Sequence, residues 1–133
     1  MRRGVGGRKV QGGLVDEHLS YAVIGCAQRV HAALGSGSPE SAYQRASALE
    51  LMKSNVPFQS QAELEVCYDD AVCGRFRVDI LVQGRMVPEL KAAEKLCKVH
   101  EAQILAYLKA SGIPVGLLMN FGQPSLAVKR FAN

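Results

Sequence analysis

No apolar run in this chain of 133 residues approaches the roughly 20 residues needed to span a bilayer. Its first residues also lack the apolar stretch of a secretory signal, so a soluble, cytoplasmic protein with no membrane partner is expected. The four cysteines, Cys26, Cys67, Cys73 and Cys97, form no CxxC pair and have no histidine at zinc-finger spacing. Reduced, mostly packed thiols are expected, and structural zinc is not. There is no internal repeat, and no low-complexity segment beyond the first residues.

Acid is missing from one region only. Residues 1–13 hold Arg2, Arg3, Arg8 and Lys9 and no Asp or Glu, and with their glycines they read as a disordered basic tail. Without those four charges the remainder carries 12 basic and 12 acidic side chains. The formal charge of +4 therefore says nothing about a nucleic-acid surface on the folded part. Residues 14–133 suit one domain, and 48% hydrophobic content with mean hydropathy +0.03 is enough for a core.

Within that domain the periodicity predicts two helices first. Asp16 is placed to cap a helix with the apolar stripe Leu19, Ala22, Val23, Cys26, Ala27, Val30, Ala33 and Leu34, ended by Gly35. Ser38-Pro39 opens a second helix that runs to about Lys53 and stops at Asn55 and Pro57. Ala62, Leu64, Val66 and Tyr68 alternate with polar residues as a first strand, and Asp69-Asp70 begins a turn region. Phe76, Val78, Ile80 and Val82 alternate with Arg75, Arg77, Asp79 and Leu81 as a second strand; Gln83-Gly84-Arg85 turns the chain; and Met86 to Ala92 returns as a third. A helix over Lys98 to Ala110, closed by Gly112, leads to a buried strand over Ile113 to Asn120, with Ala127 to Phe131 as a short edge strand. The result is an α/β (α+β) fold of order ααβββαβ. A crossover helix before the last main strand makes its mixed four-stranded sheet partly parallel.

The hairpin carries the chemistry. Glu89 and Lys91 are two apart on one strand and share a face, Leu90 points to the opposite side, and a tight turn would set Asp79 across from them. Two converging carboxylates suit a hard divalent cation such as Mg2+ or Mn2+, and a neighbouring ammonium can orient an attacking water and offset phosphorane charge. The same three side chains also fit a solvated strand face with weak cross-strand ion pairs. Glu40 and Tyr43 share a face in the first turns of the second helix, where Glu40 equally well serves the positive end of the helix dipole. His100, Gln103 and Tyr107 align along one flank of the third helix, His100 near its start where an ordinary hydrogen bond would satisfy it.

Three segments taken together resemble a known family. Gly37-Ser38-Pro39-Glu40-Ser41-Ala42-Tyr43 fits the GxxExxY signature of a group of small bacterial proteins, and Glu89 to Leu96 followed by His100-Glu101-Ala102-Gln103 resembles that group's central block. The group is assigned to the PD-(D/E)XK nuclease-like superfamily, and the similarity spans Leu14 to Asn133. It implies a restriction-endonuclease-like core and a Mg2+- or Mn2+-dependent phosphodiesterase acting on DNA or RNA. Glu40, Asp79 and Glu89 would be the metal-binding acids and Lys91 the assisting lysine. Gln103 and Tyr107 match a QxxxY element that positions substrate or water, and Tyr43, Lys95 and His100 are candidate substrate contacts. The alternative is a catalytically inactive module on the same fold that binds nucleic acid or another protein, a homodimer being one form of the latter. The chain departs from the family pattern in its short Asp69 to Gly74 connection, in Ser38-Pro39, and in Pro88, which removes a backbone donor beside Glu89 and signals an edge or a bulge.

Overall fold

A computed structural model describes the backbone of residues 6–133 and the side chains of residues 16–133. Helices α1 (Gly6–Leu34) and α2 (Glu40–Lys53) are followed by strands β1 (Phe58–Tyr68), β2 (Ala71–Val82) and β3 (Met86–Lys91). Helix α3 (Lys98–Ser111) then leads to β4 (Val115–Asn120) and β5 (Ala127–Ala132). The first five residues of the anticipated tail lie outside the described part; its other residues fall within the bounds of α1.

The sheet has five strands in sequence order, β1-β2-β3-β4-β5, rather than four, because the Ala127 segment pairs along its whole length with β4. Only β3 and β4 run parallel, with α3 as their crossover. Helices α1 and α2 cover one face through Leu19, Val23, Cys26, Val30, Tyr43 and Leu51, packed on Ile80, Val82, Met86, Leu90, Leu117 and Met119. On the other face α3 lays Tyr107 and Leu108 among Ala62, Val78, Leu81 and Val87. Both faces are therefore apolar in the middle strands, and β4 is buried at every position.

Asp16 does not cap α1. It lies inside the helix, buried, and accepts a hydrogen bond from Arg85 Nε at 2.8 Å, which ties α1 to the β2–β3 turn. The second helix starts one residue later than expected, with Pro39 as its N-cap. Asp69 and Asp70 have φ of 50° and 64°, so they form a two-residue hairpin turn of the left-handed kind. Both strands consequently run right up to it, and the expected 69–74 connection is mostly strand.

The β1–β2 hairpin keeps its register from Phe58↔Val82 to Val66↔Gly74, yet its apolar stripe changes sides. Phe58, Ile80 and Val82 belong to the core under α1 and α2, whereas Ala62, Leu64, Phe76 and Val78 belong to the core under α3. The switch falls at Gln61, whose φ is 53°, and the ladder passes from Ser60↔Ile80 to Ala62↔Val78 without a rung there.

Pro88 sits in the central strand, not at an edge. The carbonyls of Arg85 and Lys91 accept from Val115 and Phe121, so by the two-residue period the odd positions of β3 bond toward β4 and the even ones toward β2. The donor that Pro88 lacks is thus missing on the β2 side. β2 and β3 accordingly share a single bridge, Val82↔Met86, while β3 and β4 pair over six positions.

Candidate active site

Glu89 and Lys91 are held on β3, the strand buried on both faces. Their side chains are only 14% and 19% exposed, and Lys91 Nζ lies 3.4 Å from Glu89 Oε2. Leu90 between them is anchored in the α1–α2 core, so the acid and the ammonium project toward the α3 side on a rigid footing. Burial pushes the Glu89 carboxyl above its ordinary range; Lys91 opposes this, and the charges of Asp79 and Glu40 add to it. Loss of water is the largest cause, and Lys91 does not fully offset it.

Asp79 lies three residues before the Val82↔Met86 bridge and Glu89 three after it, the positions that a continued ladder would set opposite each other. The ladder does not continue. Asp79 is instead held by amides: Gln44 Nε2 of α2 donates to its Oδ2 at 2.8 Å, and Gln61 Nε2 of β1 donates to its Oδ1 at 3.3 Å. Gln44 also reaches Glu40 Oε2 at 3.4 Å, linking the exposed acid at the start of α2 to the strand acid.

Tyr107 stacks on Phe76, with ring centroids 4.5 Å apart and planes 13° from parallel. Burial pushes its phenol up, and Glu89 adds to that; Lys91 and a hydrogen bond with the Gln103 side chain oppose it, and Asp79 again pushes upward. Gln103 and Tyr107 of α3 therefore share one electrostatic neighbourhood with the strand acids.

A profile of the PD-(D/E)XK nuclease superfamily matches residues 17–131. The chain belongs to that superfamily. No curated protein and no solved structure gives a match. In this PD-(D/E)XK member the five-stranded mixed sheet between helices is a restriction-endonuclease-like fold.

The remaining expected site residues are placed differently. Tyr43, anticipated as a substrate contact, is wholly buried: it stacks on Phe121 at 4.5 Å, and its hydroxyl donates to Gly35 O and accepts from Ser38 N–H. It fastens the α1–α2 connection and presents nothing to a ligand. His100 Nδ1 accepts from the Cys97 N–H at 3.3 Å, so the ring serves the N-terminus of α3. Lys95 is exposed in the loop between β3 and α3. Among the described residues no three His, Cys, Asp or Glu side chains form a ready-made metal cage.

Three residues of this PD-(D/E)XK domain escaped the sequence reading. Gln44 and Gln61 hold Asp79, as above. Asn120, 1% exposed at the end of β4, holds the chain just beyond Lys91: its Oδ1 accepts from Ala93 N and Gly122 N at 3.0 and 3.1 Å, and its Nδ2 donates to Ala93 O at 2.9 Å. Gly122 is required there, because a Cβ would stand 2.2 Å from Ala93 O. A polar residue closing an otherwise apolar strand was the available signal for Asn120.

Proposed function

We propose that this chain is a Mg2+- or Mn2+-dependent nuclease of the GxxExxY group, with the cation carried by Asp79 and Glu89 and by Glu40 from α2. The observation that carries this reading is geometric: Glu89 and Lys91 stand 3.4 Å apart, largely buried, on the central strand, and Gln44 links Asp79 to Glu40. Two or so protein carboxylates, with water and substrate phosphate completing the shell, is the ordinary way a protein holds Mg2+, so a closed cage is not required. When bound, the cation supplies Lewis-acid polarisation of the phosphodiester and charge neutralisation.

The chain's own groups do the rest. Lys91, fixed beside Glu89, orients the attacking water and offsets charge that grows on the phosphoryl oxygens as the new P–O bond forms and the ester P–O bond breaks. The Tyr107 phenol, stacked on Phe76, donates to phosphate or water, and Gln103 lies one helical turn before it on α3. Lys95, exposed on the adjoining loop, is available to substrate phosphate.

The test uses end-labelled single- and double-stranded DNA and RNA with Mg2+ or Mn2+. Wild type should cleave at least one of them, and Glu89→Ala should lose cleavage by at least 10³-fold, about 4 kcal/mol of transition-state stabilisation. Failure of the wild type to cut any substrate, or cutting that survives the substitution, ends the nuclease reading. An inactive module on the same fold is the second reading, favoured by the absence, among the described residues, of three acids gathered into a metal-holding group. It predicts partner capture that Glu89→Ala leaves unchanged.

A further inference from the structure

Gln61 is a backbone outlier in the middle of a strand. It is neither glycine nor in a turn, yet its φ of 53° lies in the left-handed region within an eleven-residue strand. Non-glycine residues adopt that conformation in a strand at a cost, and such strain persists where the surrounding structure enforces it. Its consequence is specific. The local reversal moves the hairpin's apolar stripe from one sheet face to the other, and the Gln61 amide donates to Asp79 Oδ1 at 3.3 Å. From the other side Gln44 of α2 donates to Asp79 Oδ2 at 2.8 Å. Both oxygens of one carboxylate are thus met by primary amides from two different elements.

We propose that Gln44 and Gln61 are positioning residues that clamp the Asp79 carboxylate in the orientation a divalent cation requires. This rests on the cation-site reading above. A carboxylate oxygen has lone pairs enough to accept an amide N–H and still face a cation, and partners that fix a ligating carboxylate are commonly worth tenfold to a hundredfold in metal affinity. Strand β2 meets β3 at a single bridge, so no ladder registers Asp79 against Glu89. Gln44 further couples the clamp to Glu40, 3.4 Å away.

The experiment is calorimetric titration of Mn2+ into the full chain, beside thermal melting without metal. Wild type should bind Mn2+, and Glu89→Ala should abolish binding. Gln44→Ala and Gln61→Gly should each weaken it by about tenfold to a hundredfold. Glycine accepts positive φ freely, so Gln61→Gly should melt at or above wild type, by roughly 0–4 °C. Stability held or gained while affinity falls is a result that a merely structural Gln61 would not give. Affinity within threefold of wild type in either variant, or tighter, overturns the clamp, as does a Gln61→Gly Tm below wild type. Absence of Mn2+ binding by the wild type overturns the cation reading and the clamp together; binding that the variants leave intact overturns the clamp alone.

Discussion

Asn120→Ala should destabilise the domain and loosen the segment carrying Lys91, and the size of the effect follows from its bonds. The Asn120 side chain makes hydrogen bonds to Ala93 N, Ala93 O and Gly122 N, of 2.9–3.1 Å, from a residue that is 1% exposed. Each such bond contributes about 0.5–1.5 kcal/mol net, and leaving buried partners unmet adds to the loss. A total of about 2–4 kcal/mol is expected. For a domain of this size that lowers Tm by roughly 6–15 °C. Asn120→Asp separates the contributions: it keeps the acceptor for Ala93 N and Gly122 N but sets a carboxylate oxygen against Ala93 O, so it too should melt below wild type, by about 1 kcal/mol or more. Thermal melting by circular dichroism reads both. An Asn120→Ala Tm within about 2 °C of wild type would refute the reasoning, since it would mean that these bonds do not hold the chain after Lys91.

Two further outcomes can be checked with the same instrument. Burial raises the folded-state carboxyl of Glu89 above its ordinary value of 4.5, so its contribution favours folding at acid pH and is lost as pH rises through the raised value. Glu89→Gln should therefore melt above wild type at pH 7, with the gap closing by about pH 4; a variant that melts lower at pH 7 contradicts this. Gly116→Ala would bring a Cβ to 2.8 Å from Ile104 Cδ1, where α3 crosses β4 closely, and such overpacking costs about 1–3 kcal/mol. Adding Ile104→Val should recover part of that loss, and a double mutant no better than the single would show that the clash is elsewhere.

The element order was legible because the periods are clean. Stripes at Leu19 to Leu34 and alternation at Phe76 to Val82 map onto observed helix and strand. The Asp69-Asp70 turn was located, but its tightness was not. Two adjacent aspartates read as a polar loop, whereas their left-handed conformations let both strands run to the tip. Strand spacing alone groups Asp79, Glu89 and Lys91, whereas Gln103 and Tyr107 join them only through the family resemblance; in the fold Glu89 and Tyr107 feel the same neighbouring charges. Tyr43 misled because a helix periodicity gives a face, not which neighbour meets it; here the neighbour is Phe121, 78 residues on. Gln44 lies one helical turn after Glu40, a spacing that puts both on one flank, so it was visible in principle. Gln61 was not: alternation continues unbroken through it, and nothing in a sequence of alternating residues marks one backbone angle reversed.

The proline beside Glu89 has a mechanical meaning. Because β2 and β3 share one bridge, the sheet consists of two leaves, the β1–β2 hairpin and the β3–β4–β5 block, sewn together by a single stitch at Val82 and Met86. Asp79 rides on one leaf and Glu89 on the other. Their separation is therefore set by side-chain packing across the two leaves and not by a backbone ladder, and the stacking of Phe76 on Tyr107 is part of that packing.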